Sequence, residues 1–147
     1  CLSRGLGDVY KRQVINARQS SPWRPVEPRL NLRLRSSIKA PQQARRAVSG
    51  LLASVAREDL GPDAALLVSE LVTNAVVHAG GPIGVSAAYR GRTLRVEVHD
   101  TGAGGLSLRY PSAHDEAGRG FRLVTVLARR WAVDPAREGK TVWFEIG

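Results

Sequence analysis

A chain of 147 residues with one cysteine, Cys1, can bury a single hydrophobic core and cannot form a disulfide framework, so a reducing, cytoplasmic setting is the default. Its 43% hydrophobic content comes without any long apolar run, which excludes a membrane span, and no secretory signal is visible. The net charge of +9 would ordinarily suggest nucleic acid, yet from Ala47 onward eleven Lys and Arg meet eleven Asp and Glu, and the excess lies upstream, which argues against a nucleic-acid partner.

Residues 1–13 contain Asp8-Val9-Tyr10-Lys11-Arg12-Gln13, which resembles the translation of a transposon-end sequencing adaptor, and the chain has no methionine. This segment is expected to be an assembly scar outside the fold, with a true start or an upstream domain lost. Residues 14–29, basic and punctuated by Ser and Pro as in Gln19-Ser20-Ser21-Pro22-Trp23-Arg24-Pro25, read as a disordered leader. The folded domain is expected over 30–147.

Leu30, Leu32 and Leu34 alternate with polar residues and predict a first strand. Pro41 suits the first turn of a helix carrying Ala44, Ala47, Val48, Leu51, Leu52 and Val55, broken at Gly61-Pro62-Asp63. A second helix is predicted over about 63–79. Residues 83–89 and 93–100 read as neighbouring strands joined around Arg90-Gly91-Arg92. Residues 106–117 show no period. A third, amphipathic helix opens at Gly118-Arg119-Gly120 and runs to about residue 130. A short strand near 131–133 and a last one with Val142, Phe144 and Ile146 inward complete the chain.

Three motifs carry chemistry. In the second helix Glu70, Asn74 and His78 are four residues apart, so they share one ridge beside the apolar stripe of Leu67, Val68, Leu71, Val72, Ala75 and Val76. In the third strand Asp100 has the parity of Leu94, Val96 and Val98, which delivers a carboxylate to the end of an apolar face, followed at once by Thr101-Gly102-Ala103-Gly104. Such a carboxylate accepts from the exocyclic amine of adenine and repels the guanine carbonyl. Gly118-Arg119-Gly120 opens a helix whose free N–H groups and dipole suit phosphate.

These boxes, in this order, resemble the N, G1 and G2 boxes of the GHKL ATPase superfamily (gyrase, heat-shock chaperone, histidine kinase, MutL). Within it the chain is similar to the small anti-sigma factor serine/threonine-protein kinases of actinobacteria, as is the ending Gly139-Lys140-Thr141-Val142-Trp143-Phe144-Glu145-Ile146. The resemblance implies an α+β fold of the Bergerat type: a two-layer sandwich with a mixed, mostly antiparallel sheet and three helices on one face. Trp143 and Tyr89 are expected to cover the other face or meet a partner there.

The resemblance also implies roles. Asn74 would coordinate the Mg²⁺ that bridges the ATP phosphates, and Glu70 would be the general base toward a partner's hydroxyl. Asp100 would hold adenine, Gly102 and Gly104 would shape the pocket wall, and residues 106–117 would form the ATP lid. Gly118 and Gly120 would let the lid and helix close over the phosphates, with Arg119 adding positive charge. His78 goes with this cofactor-binding set, although near a helix end before Gly80-Gly81 it serves the dipole and the cap equally well. His99 and His114 have no metal-ligand spacing.

The resemblance points to a kinase that binds a sigma factor and phosphorylates an anti-anti-sigma partner of the STAS type, with a homodimer compatible. Two alternatives stay open. One is the catalytic ATP-binding fragment of a histidine kinase, although no histidine precedes His78; the other is a nucleotide-dependent binding module without phosphotransfer, which would not need Glu70.

Overall fold

The leucine alternation near residue 30 becomes an edge strand, β1 (Arg29–Leu34), with Leu30, Leu32 and Leu34 turned inward. The computed structural model describes residues 27–102 and 116–147, so the expected scar, nearly all of the leader, Ala103, Gly104, His114 and most of the expected lid lie outside the described residues. Pairing already reaches back to Pro28, whose carbonyl accepts the Tyr89 N–H at 3.0 Å, while Glu27 bridges to Arg29 at 2.6 Å and Arg90 at 3.2 Å.

Helix α1 (Ala40–Ser54) has Pro41 in its first turn and buries Ala40, Ala44, Val48, Leu51 and Leu52. Its end differs from expectation. Ala56 takes a left-handed φ of 53°, its N–H donates to Ala53 O at 3.2 Å and the Arg57 N–H donates to Leu52 O at 2.9 Å, the paired bonds of a Schellman cap. A short 3₁₀ turn (Glu58–Leu60) then leads straight into α2 (Gly61–Ala79). Gly61-Pro62 is therefore the opening of the second helix and not a break, because the first turn is where proline's missing N–H goes unneeded.

By length and composition the stretch Glu58–Ala79 could cross a membrane. Its apolar residues have another use: Ala64, Leu67, Val68, Leu71, Val72 and Ala75 are buried in the domain interior. This is the core helix, apolar because other elements cover most of one side of it.

Strands β2 (Ile83–Arg90) and β3 (Thr93–Asp100) form a hairpin with Arg90 opposite Thr93, and Gly91 at φ 63° supplies the positive φ that a type II′ turn requires at its first central position. Helix α3 (Glu116–Leu127) is followed by β4 (Arg130–Pro135) and β5 (Lys140–Ile146). The helix stops about three residues earlier than its periodicity predicts, since Arg130 is already paired with Glu145. Sheet order is β1-β2-β3-β5-β4, antiparallel at every pairing, simpler than the mixed sheet expected.

The core lies between this sheet and the helices, with Val85, Val96 and Phe144 from the sheet, Val48, Leu52 and Leu67 from α1 and α2, and Val124 from α3 all almost fully buried. The opposite face is polar. Arg95 stacks 3.8 Å from the centre of the Trp143 ring and bridges Glu97 at 2.7 Å and Glu145 at 3.1 Å, while Trp143 Nε1 donates to Asp134 at 2.9 Å. Trp143 thus lies on the face expected for it, but Tyr89 does not. Tyr89 shares the parity of Ile83, Val85 and Ala87, packs against the core, and its hydroxyl accepts from Arg57 at 2.6 Å.

Candidate nucleotide site

Helix α2 has two unlike flanks. On one, Arg45 of α1 donates to Ser69 Oγ at 3.0 Å and Ser36 Oγ, in the segment before α1, donates to the Val76 carbonyl at 3.4 Å, which ties α2 to α1 and to its approach. At about 100° per residue, Asn74 lies roughly 140° around the axis from Ser69, so the row of Glu70, Asn74 and His78 is on the flank turned away from α1. Glu70 and Asn74 are half-buried and His78 is exposed, as expected for a row at the edge of an apolar stripe. Among the described residues the Glu70 and Asn74 side chains have no hydrogen-bond or ion-pair partner.

His78 occupies the last turn, and Gly80 caps the helix with a left-handed φ of 67°. That arrangement suits an imidazole at the negative end of the helix dipole. Among the described residues no hydrogen bond or ion pair joins His78 to Asp100.

Asp100 ends β3 on the helix-facing side, as its parity predicts, and at 5% exposure it is the one buried charged residue among those described. A buried carboxylate needs partners. Its Oδ1 accepts the Gly102 N–H at 3.3 Å, and its Oδ2 faces Lys140 Nζ at 3.6 Å. The backbone after it runs against the end of α2: a Cβ at Gly102 would lie 2.8 Å from Ala79 Cα, and one at Gly81 would lie 3.0 Å from Thr101 Oγ1. Gly102 is therefore required for close approach. The geometry brings the Asp100 end of the sheet to the C-terminal end of the α2 row.

Gly118, Arg119 and Gly120 fall inside α3 and not ahead of it, because the helix already includes Glu116 and Ala117. Both are compatible with a helix interior. Two residues went unread in the sequence. Lys140 has the inward parity of Val142, Phe144 and Ile146, and a lysine on the covered side of a strand signals a carboxylate opposite it, which is Asp100. Gly139 precedes it at φ 84°, its backbone pressed on that of Asp100.

These residues fit a purine nucleotide. An acceptor is held in a covered position, glycine stands beside it, and an amide and a carboxylate with no partner among the described residues stand along the adjoining helix flank. Among the described residues no group of three or more His, Cys, Asp or Glu side chains could hold a metal ion. A Mg²⁺ ion bound with a nucleotide would find the Asn74 amide oxygen as a ligand, alongside phosphate oxygens and water. A shallow concavity of about 210 Å³ lies elsewhere, around Ser86, Glu97, His99 and Thr141 of the sheet, and holds none of the predicted site residues.

Comparison with curated proteins gives no match. Comparison with family models gives one that agrees with the fold: the histidine kinase-like ATPase domain, matched over residues 35–146, well over half of the chain. The chain belongs to this family of ATP-binding domains, within the GHKL superfamily.

Proposed function

We propose that this protein is a cytoplasmic serine/threonine kinase of the anti-sigma factor type, which binds a sigma factor and transfers phosphate from ATP to a STAS-type partner. The observation that carries the reading is the pair Glu70 and Asn74, half-buried and without a partner among the described residues, on the flank of α2 that leads to Asp100. Bound Mg²⁺–ATP supplies the transferable phosphoryl group together with the cation that offsets its charge. Asp100 accepts from the adenine amine, and Gly102 keeps the wall beside it free of side chains. Asn74 offers its amide oxygen to the cation. Gly118, Arg119 and Gly120 belong to α3, and in this reading their backbone N–H groups and the Arg119 charge serve the phosphates. Glu70, one turn before Asn74, takes the proton that a serine or threonine hydroxyl must lose as it attacks.

The test adds labelled ATP and Mg²⁺ to the protein with STAS-domain proteins of the source genome, comparing wild type with Glu70→Ala and Asn74→Ala. The expected product is phosphoserine or phosphothreonine on a partner, lost in both variants, while Asp100→Asn weakens nucleotide binding itself. Label on a histidine or aspartate would overturn the hydroxyl specificity, and full transfer by Glu70→Ala would overturn the base.

A further inference from the structure

The buried carboxylate of Asp100 has a charged neighbour. Lys140, its register partner on β5, puts an ammonium 3.6 Å from Asp100 Oδ2, with the lysine side chain 29% exposed and the aspartate 7%. At that distance the two are an ion pair but not a hydrogen bond, so Oδ2 keeps its accepting capacity and Nζ its donors. Lysine is used at only three positions of the chain, against arginine elsewhere, and here it offers a compact point donor where a planar fork would have to fill the space. Gly139 fixes the placement, since its backbone lies against the Asp100 main chain and sets where β5 begins.

We propose that Lys140 reads the nucleobase: its ammonium donates to adenine N1 while Asp100 Oδ2 accepts from the neighbouring exocyclic amine. This rests on the assignment of Asp100 to adenine. An acceptor and a donor side by side match the edge of adenine, where an amine adjoins a bare ring nitrogen. Guanine presents a carbonyl beside a protonated nitrogen in the same places, so both contacts become repulsive together. A site that hydrogen-bonds a ligand atom discriminates strongly against an analogue lacking it, because the site's own polar group is left unpaired.

The test is equilibrium binding by titration calorimetry, with ATP, 1-deaza-ATP (N1 replaced by C–H), 7-deaza-ATP and GTP, on wild type and Lys140→Met. In wild type, 1-deaza-ATP is expected to bind at least tenfold more weakly than ATP, 7-deaza-ATP about as well, and GTP far more weakly, as for loss of a hydrogen bond to a charged group. In Lys140→Met the gap between ATP and 1-deaza-ATP closes. That closure separates base reading from support of Asp100, which would lower both ligands equally and keep the gap. A wild type that binds ATP and 1-deaza-ATP alike overturns the inference. So does GTP binding as tightly as ATP, which would mean that the pair reads the exchanged order. Absence of ATP binding by wild type would instead overturn the nucleotide assignment on which the inference stands. Circular dichroism and a melting curve verify that Lys140→Met is folded; should it not be, Lys140→Gln, which keeps a neutral donor, is expected to retain part of the gap.

Discussion

Gly139 rests on the main chain of Asp100: a methyl group at position 139 would fall 1.7 Å from the Asp100 carbonyl oxygen and 2.6 Å from its carbonyl carbon. The obstacle is backbone, which cannot swing aside, and φ at Gly139 is 84°. Gly139→Ala is expected to destabilise the fold by about 3 kcal/mol or more, from left-handed strain plus overpacking. Urea unfolding checks this; an unchanged midpoint would show that the turn before β5 relaxes freely.

Glu70 and Asn74 contribute little to the fold because they are half-buried and bond to no described residue. Glu70→Gln and Asn74→Ala should each move stability by no more than about 0.5 kcal/mol. Glu70→Gln should nonetheless slow phosphoryl transfer on the order of 10²- to 10⁴-fold, the range for loss of a general base, with nucleotide affinity kept. Single-turnover transfer and thermal melting, run together, separate chemistry from folding.

Ala56 is the one non-glycine among the described residues with positive φ, and it occupies the C′ position of the α1 cap where glycine is usual. Ala56→Gly removes left-handed strain worth about 1–2 kcal/mol but adds unfolded-state entropy of about 0.4–1 kcal/mol. The expected net is a stabilisation of up to about 1 kcal/mol, read as a higher denaturation midpoint with unchanged slope.

Arg57 grips Asp59 through two bonds of 2.8 and 3.0 Å and also donates to Tyr89 and to the Arg92 carbonyl. The hydrogen bonds from Arg57 hold the Asp59 carboxyl below its ordinary value of 3.8. Its folded pKa is depressed, so its stabilising contribution is present above the unfolded value and lost as pH falls through the folded one. An NMR titration of Asp59 should therefore give a midpoint below 3.8 that rises in Arg57→Gln. A midpoint unmoved by that substitution would mean the contact is not maintained in solution.

Much of the fold follows from two periods. Period 2 located the inward faces of β1, β3 and β5 and put Asp100 at a buried strand end. Period 3.6 separated the Glu70–Asn74 row from the apolar side of α2. The same parity rule places Tyr89 and Lys140 on the helix side, so the sequence carries both positions. The end of α1 was not legible: its cap uses Ala56 where glycine would have announced it, and Gly61-Pro62 carries the turn residues that mimic a break. The start of α3 was blurred for a related reason, since glycines inside a helix look like its boundary.

The contact of Gly102 with Ala79 ties the strand bearing Asp100 to the last turn of α2, side chain excluded and backbone nearly touching. Helix and sheet are thus welded at their Asp100 end. On the proposed nucleotide assignment, that junction would hold the spacing around the purine constant, and a side chain introduced at Gly102 would force it apart.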